Sequence, residues 1–381
     1  MSALGTLTES ASPDAATVYK QSRRRRYNLQ KTAAQLLPGE RVETCGWRPI
    51  QGQQLGISRR AGKHYVSHAA VCGSVWVCPV CAAKIASQRS QELEQAVRAW
   101  SAQGGVVWML TLTINHTAQD ALPALLGRFT KAMSQLWAGK WGKSWRADNG
   151  QVGMVRNLEV TWGLANGWHP HCHALLFVSA DACPITAEET IKHHWQSVAS
   201  RYGFSVSLRR GAVIDAPLDD DIAALLAKYA GKIDKNLTWG FPQELTWANI
   251  KSARGQRFTP FSLLSACDSD DVGAAPALFQ AYADAFKGRR QLYWSKNLRA
   301  LLALEPERSD EDVAHAQDDQ AVFVAAVATD IFCWIKARGQ LCDLLEAADD
   351  YGVEGIESYL EWAYDCRTLE AADRRRGLNA A

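Results

Sequence analysis

The stretch Trp168-His169-Pro170-His171-Cys172-His173-Ala174-Leu175-Leu176-Phe177 carries three histidines in strict alternation. In an extended strand, residues i, i+2 and i+4 share a face. His169, His171 and His173 therefore point one way, and Cys172, Ala174 and Leu176 point into an apolar opposite face. Imidazoles this close on one surface suit a divalent metal. The chain has only nine histidines among 381 residues, which makes chance clustering on a polar strand the weaker reading.

Immediately upstream, Val152–Trp162 also reads as a strand, and the turn-rich Gly163-Leu164-Ala165-Asn166-Gly167 joins the two as an antiparallel hairpin. A turn centred on Ala165 sets position 159 opposite position 171. Glu159 then stands on the histidine face, and a one-residue slip would turn it away. The expected centre is two histidines and a carboxylate, a mixture that suits Mn²⁺ somewhat better than the oxygen-preferring Mg²⁺.

Further out, Trp108–Asn115 reads as a strand with Leu110, Leu112 and Ile114 alternating with threonines. Lys84–Gln103 and Pro123–Trp137 carry helical stripes. Thr186 with Glu189 gives a capping-box signal for a helix reaching about Tyr202. Ser205–Ile214 reads as a further strand, Asp219–Lys235 as a helix, and Ser252–Ala275 as a loop. Ala321–Ala337 and Leu341–Cys366 read as helices. Strands in the middle with helices between them imply an α+β fold, a central antiparallel sheet with flanking helices.

Cys72, Cys78 and Cys81 have metal-ligand spacing, strongest in the Cys78-Pro79-Val80-Cys81 pair. Cys45 is the expected fourth ligand of a closed structural Zn²⁺ site, with His64 and His68 as alternatives; four plainly buried cysteines is the competing reading. Cys183, Cys267, Cys333, Cys342 and Cys366 lack ligand spacing, and most are expected in the core.

The net charge of +2 hides an asymmetry. From Glu305 onward there are 18 acidic and 7 basic residues, net −11, which leaves +13 for the rest, including the run Arg23–Arg26. A basic body with an acidic end suggests a polyanionic partner. The apolar runs are too short for a membrane span, and the Ser/Thr/Ala-rich start lacks the apolar core of a secretory signal, so a cytoplasmic protein is expected. The expected organisation is a flexible basic arm (1–40), a zinc-binding module (41–85), a sheet domain (86–250), a basic segment (251–304) and an acidic helical region (305–381).

Tyr229 lies on the apolar stripe of its helix, where a core role is the ordinary reading. Lys228 and Lys232 flank it, and cations near a phenol favour the phenolate and attract phosphate. Leu110-Thr111-Leu112-Thr113, His169–His173 and Lys228-Tyr229-Ala230-Gly231-Lys232 occur in the order seen in rolling-circle replication initiators. The chain thus resembles the HUH endonuclease superfamily, in its single-tyrosine bacterial plasmid branch. Arg156–Trp162, Val77–Cys81 and Lys287–Ser295 extend the resemblance over about residues 40–300.

The resemblance implies roles. His171 and His173 would be metal ligands, with His169 and Glu159 as further candidates, and Mn²⁺ or Mg²⁺ would polarise a scissile phosphate. Tyr229 would attack it, forming a 5′-phosphotyrosine link and a free 3′-OH, with Lys232 stabilising the phosphate charge. Relatives with one tyrosine often have a glutamate four residues before it; here that position is Leu225, which leaves Asp221, a second tyrosine or a second subunit for termination. Lys287, Arg289 and Arg290 form a basic patch suited to DNA phosphates, though a solvated face explains them nearly as well. Expected partners are single-stranded or hairpin origin DNA, a host helicase and a DNA polymerase. Competing functions are an HUH transposase or relaxase with the same chemistry, and a non-catalytic zinc-containing DNA-binding regulator.

Overall fold

A computed structural model describes residues 15–216, 257–267, 272–316 and 320–378. Helix α1 (Ala15–Leu36) is followed by strands β1 (Gly56–Arg60) and β2 (Lys63–Ser67), helix α2 (Pro79–Ala102) and strand β3 (Gly105–Thr113). Helices α3 (Leu122–Leu136) and α4 (Gly139–Asp148), strands β4 (Gly153–Gly163) and β5 (Gly167–Ser179), helix α5 (Pro184–Ser200) and strand β6 (Ala212–Asp215) come next. The later elements are β7 (Arg257–Phe258), α6 (Pro260–Ala266), α7 (Ala275–Phe286), β8 (Leu292–Trp294), α8 (Leu298–Leu301), α9 (Asp310–His315), β9 (Val322–Ala326), α10 (Thr329–Ala337) and α11 (Leu341–Leu378). The fold is α+β, and its described residues divide into two compact units.

The larger unit holds residues 29–44, 71–216, 257–267 and 272–316. Its six-stranded sheet runs β6-β3-β5-β4-β7, with β8 also paired to β4, every pairing antiparallel. The β4–β5 hairpin closes through Leu164–Asn166, and Gly167 takes the left-handed conformation (φ +71) that such a short connection demands. A Cβ at Gly167 would stand 2.8 Å from the Ala118 backbone, so glycine is required sterically as well.

Both faces of this sheet are covered. On the histidine face, Leu93, Ala96 and Val97 of α2 pack on Val107, Met109, Val155, Leu175 and Phe177. Leu175 and Phe177 are two and four residues beyond His173, so the same face that is polar at one end of β5 is core at the other. Helices α3 and α5 pack together, with the Phe129 and Trp195 rings 6.0 Å apart, and Trp195 Nε1 donates to the Thr113 carbonyl at 2.9 Å.

The smaller unit holds residues 15–28, 45–70 and 320–378. Its three-stranded sheet runs β2-β1-β9, again antiparallel. Ala61 and Gly62 both have positive φ (47° and 76°), the signature of a two-residue type I′ hairpin turn. Leu55, Ile57, Ile331, Phe332, Ile335, Leu344 and Leu345 form its core. Gly352 (φ 62, ψ −136) kinks α11.

Several expectations are corrected. The flexible arm is helical from Ala15, and the arginine run does not simply face solvent. Arg23 is 3% exposed and pairs with Asp349 at 2.8 Å. Arg24 pairs with Asp343 and Glu346, both at 2.7 Å, and Lys20 pairs with Asp350 at 2.6 Å. Part of the basic excess is therefore neutralised by the chain's own acidic C-terminal helix. Ala321–Ala337, expected as one helix, is strand β9 and then α10, because Val322, Phe323, Ala325 and Ala326 pair along β1. The loop expected over 252–275 contains α6, whose Pro260 opens the helix and whose Phe261, Leu263 and Leu264 are buried. The strand expected over 205–214 is confined to Ala212–Asp215. Helix α5 starts at Pro184 with Cys183 as its cap residue, so Thr186 lies inside the first turn and makes no capping box. The stretch expected as a zinc-binding module (41–85) includes the β1–β2 hairpin. The helix expected over 219–235 lies outside the described residues.

Candidate metal centre

The hairpin register places Glu159 opposite His171 and Asn157 opposite His173. On the other side of β5, Thr113 stands opposite His171 and Thr111 opposite His173. Glu159 Oε2 lies 3.3 Å from His171 Nε2, and Oε1 lies 4.0 Å from His173 Nε2. One donor atom from each of the three falls within 4.8 Å of the others. Glu159 is 4% and His173 8% exposed, so the set sits at the sheet surface rather than in free solvent.

The outer nitrogens are occupied. His173 Nδ1 lies 2.9 Å from the Thr111 hydroxyl, and His171 Nδ1 lies 3.2 Å from the His169 carbonyl. A carbonyl only accepts, so the His171 Nδ1–H donates to it, which leaves Nε2 facing the Glu159 carboxylate. Asn157 Nδ2 donates to Glu159 Oε1 at 3.2 Å. Partners that fix ring tautomers in this way are the usual surroundings of metal-binding histidines. The converging atoms are a carboxylate and imidazole nitrogens, a donor set that fits a divalent cation.

His169 is not gathered with these three. Its Nδ1 lies 2.8 Å from His116 Nε2, and His116 Nδ1 donates to the Asn166 carbonyl at 2.9 Å. Burial, followed by the neighbouring His171 and His116, pushes the His169 imidazole down to about 3, so it is neutral at ordinary pH. Burial also lowers His116. On the opposite face, burial pushes the Cys172 thiol up to about 12, which keeps it protonated and out of metal chemistry.

Cys78 caps the N-terminus of α2, its sulfur accepting from the Cys81 backbone N–H at 3.5 Å, with Pro79 opening the helix. Gln30 Nε2 donates to the same sulfur at 3.2 Å. The Cys72 and Cys81 sulfurs are 3.7 Å apart. Four bonds of about 2.3 Å in a tetrahedron place sulfurs about 3.8 Å from each other, the spacing of a closed zinc site. Cys72, Cys78 and Cys81 are buried thiols of the larger unit, a donor set that suits Zn²⁺, and Cys45, the expected fourth ligand, is buried and peptide-bonded to Thr44 of that unit. The alternatives are engaged elsewhere: His64 with Asp349 at 3.1 Å, and His68 with the Gln54 carbonyl at 2.9 Å. Of the remaining cysteines without ligand spacing only Cys342 is buried, and Cys183 is exposed.

Tyr229, Lys228 and Lys232 lie outside the described residues, as do Asp221 and Leu225. Lys287 pairs with Glu40 at 2.6 Å, and Arg289 Nε donates to the Ala285 carbonyl at 2.7 Å, while Arg290 is exposed. Sequence reasoning missed Thr111, Asn157 and His116, the hydrogen-bond partners of His173, Glu159 and His169. The alternation in Leu110–Thr113 already put both threonines on the face away from the leucines, and that signal could have found Thr111.

No described helix is long and apolar enough to cross a membrane. The family model described as Replication protein matches residues 63–339. A protein named Protein rep from Streptomyces lividans is 30% identical over 349 residues, covering 75% of this chain and 76% of that relative. A Neomycin resistance protein from Streptomyces cyanogenus is 33% identical over 131 residues, covering 28% of this chain and 30% of its own length. No solved structure matches.

Proposed function

Because the chain belongs to the replication-protein family, we propose that it is a plasmid initiator that starts rolling-circle replication by nicking one strand at an origin. One observation carries this reading: Glu159, His171 and His173 converge on the central hairpin of an antiparallel sheet in a replication-family chain. Mn²⁺ or Mg²⁺ held by these residues would polarise the scissile phosphate.

The work of the chain's own groups follows from their chemistry. Thr111 and the His169 carbonyl orient the imidazoles. The Tyr229 hydroxyl attacks phosphorus in line and loses its proton. The bond to the 3′ oxygen breaks, that oxygen leaves as a 3′-OH, and the phosphate stays on the tyrosine. Lys228 and Lys232 favour the phenolate and offset charge on the phosphate. The 3′-OH then primes a host DNA polymerase, with a host helicase opening the duplex. Leu225 cannot activate water, so termination uses Asp221, a second tyrosine or a second subunit. Cys45, Cys72, Cys78 and Cys81 would hold a structural Zn²⁺, and Lys287, Arg289 and Arg290 would contact DNA phosphates.

The test is incubation of the protein with single-stranded DNA from the replicon's origin region and Mn²⁺, followed by a denaturing gel. A covalent DNA–protein adduct is expected, and Tyr229→Phe should abolish it while retaining DNA binding. A normal adduct yield from that variant overturns the assignment.

A further inference from the structure

We propose that the cavity at the β4–β5 turn is a second phosphate subsite, taking the backbone phosphate of a single DNA strand next to the one held at the Glu159 centre, with Arg257 as its charge partner. The proposal rests on the strand-nicking reading above and adds a binding site to it.

The cavity measures about 220 Å³, and His116, Thr161, Asn166, His169 and Arg257 are among its walls. Its position follows from the hairpin register. Thr161 stands opposite His169, one same-face step along the strands from the Glu159–His171 pair. The His169 and His171 rings stack at 5.3 Å with 23° between their planes. The cavity and the metal centre are thus neighbours in one row, and a strand whose scissile phosphate sits at the centre has an adjacent phosphate to place.

The walls are fixed by the chain's own contacts. The chain from the Asn166 carbonyl through His116 to His169 holds both rings at 2.9 and 2.8 Å. The left-handed Gly167 lets the loop after β3 close against the turn at Ala118. Arg257 is held beside the turn by β7, paired with Gly163, and is exposed. No carboxylate lines the cavity among the described residues. A guanidinium fork in a concave, acid-free, preformed site selects a phosphate over a neutral base. The cavity is too small for a duplex and fits one phosphodiester unit.

The test uses the full-length, zinc-loaded chain without added Mn²⁺ or Mg²⁺, so that binding is read without cleavage. Fluorescence anisotropy with a labelled oligothymidylate is followed from ~50 to ~200 mM salt. Arg257→Gln should weaken binding several-fold and reduce the log–log salt slope by about 0.7, the loss of one single-strand phosphate contact. Arg257→Lys should keep most of the slope. In protein labelled at histidine, the His116 and His169 ring resonances should shift with the oligonucleotide and not with the same concentration of inorganic phosphate. An unchanged slope in Arg257→Gln overturns the subsite, and so do unmoved ring resonances or an equal response to inorganic phosphate. An adduct that forms with Mn²⁺ while the slope stays unmoved refutes the subsite alone. A reduced slope with no adduct under any condition refutes the nicking reading instead.

Discussion

Glu159→Gln should separate metal binding from folding. Glu159 is 4% exposed, and its two oxygens face His171 and His173 at 3.3 and 4.0 Å. A buried carboxylate is costly to keep without a cation beside it, and the isosteric amide removes that cost. The metal-free variant should therefore be as stable as the wild type or about 1 kcal/mol more stable. Metal affinity should move the other way. Loss of even an outer partner of a metal ligand costs about 10–100-fold, so loss of the only carboxylate in the set should cost at least about 100-fold. At a Mn²⁺ concentration of about 100 times the wild-type Kd, binding stabilises the wild type by about 2.7 kcal/mol, and the variant by about 0.4 kcal/mol. At about 2–4 °C per kcal/mol, thermal melts should show a shift of about 5–10 °C for the wild type and under about 2 °C for the variant. Differential scanning fluorimetry with and without Mn²⁺ reads both quantities. A full Mn²⁺ shift in the variant, or a metal-free loss of several kcal/mol, would refute the reasoning.

Other consequences are open to direct measurement. Elemental analysis should find about one tightly held Zn²⁺ per chain, and Cys81→Ser should lose it; because α2 begins at these thiols and packs on the sheet through Leu93 and Val97, metal loss should lower the melting temperature of the sheet unit and not only of a local module. A zinc-free protein that melts normally would count against a structural metal. Phe177→Ala should cost about 3–5 kcal/mol in denaturant unfolding, since Phe177 is fully buried beneath α2; a loss under about 1 kcal/mol would contradict that packing. His169 binds its proton less readily when folded than when unfolded, so it subtracts stability progressively as pH falls from 6.5 to about 3. His169→Gln should make the acid side of the stability profile less steep over that window, and an unchanged profile would rule out the buried neutral imidazole.

The chain's local rules determined the centre of the molecule. Side-chain alternation has a period of two, and a short glycine-rich connection fixes hairpin register, so the pairing of Glu159 with His171 was legible in the order of residues alone. The spacing of Cys72, Cys78 and Cys81 was legible for a similar reason, since ligand geometry restricts short separations. What sequence could not decide depends on groups distant along the chain. His169 belongs to the same alternating face as His171 and His173, yet His116, arriving from beyond the end of β3, takes its Nδ1 as a hydrogen-bond partner at 2.8 Å. The arginine run reads as a contact for an outside polyanion until α11 brings Asp343, Glu346 and Asp349 against it. Val322–Ala326 became a strand because an edge of β1 was open to pair with it, overriding the helical reading of its neighbours. Local periodicity sets which face a residue occupies; only tertiary packing sets what meets it there.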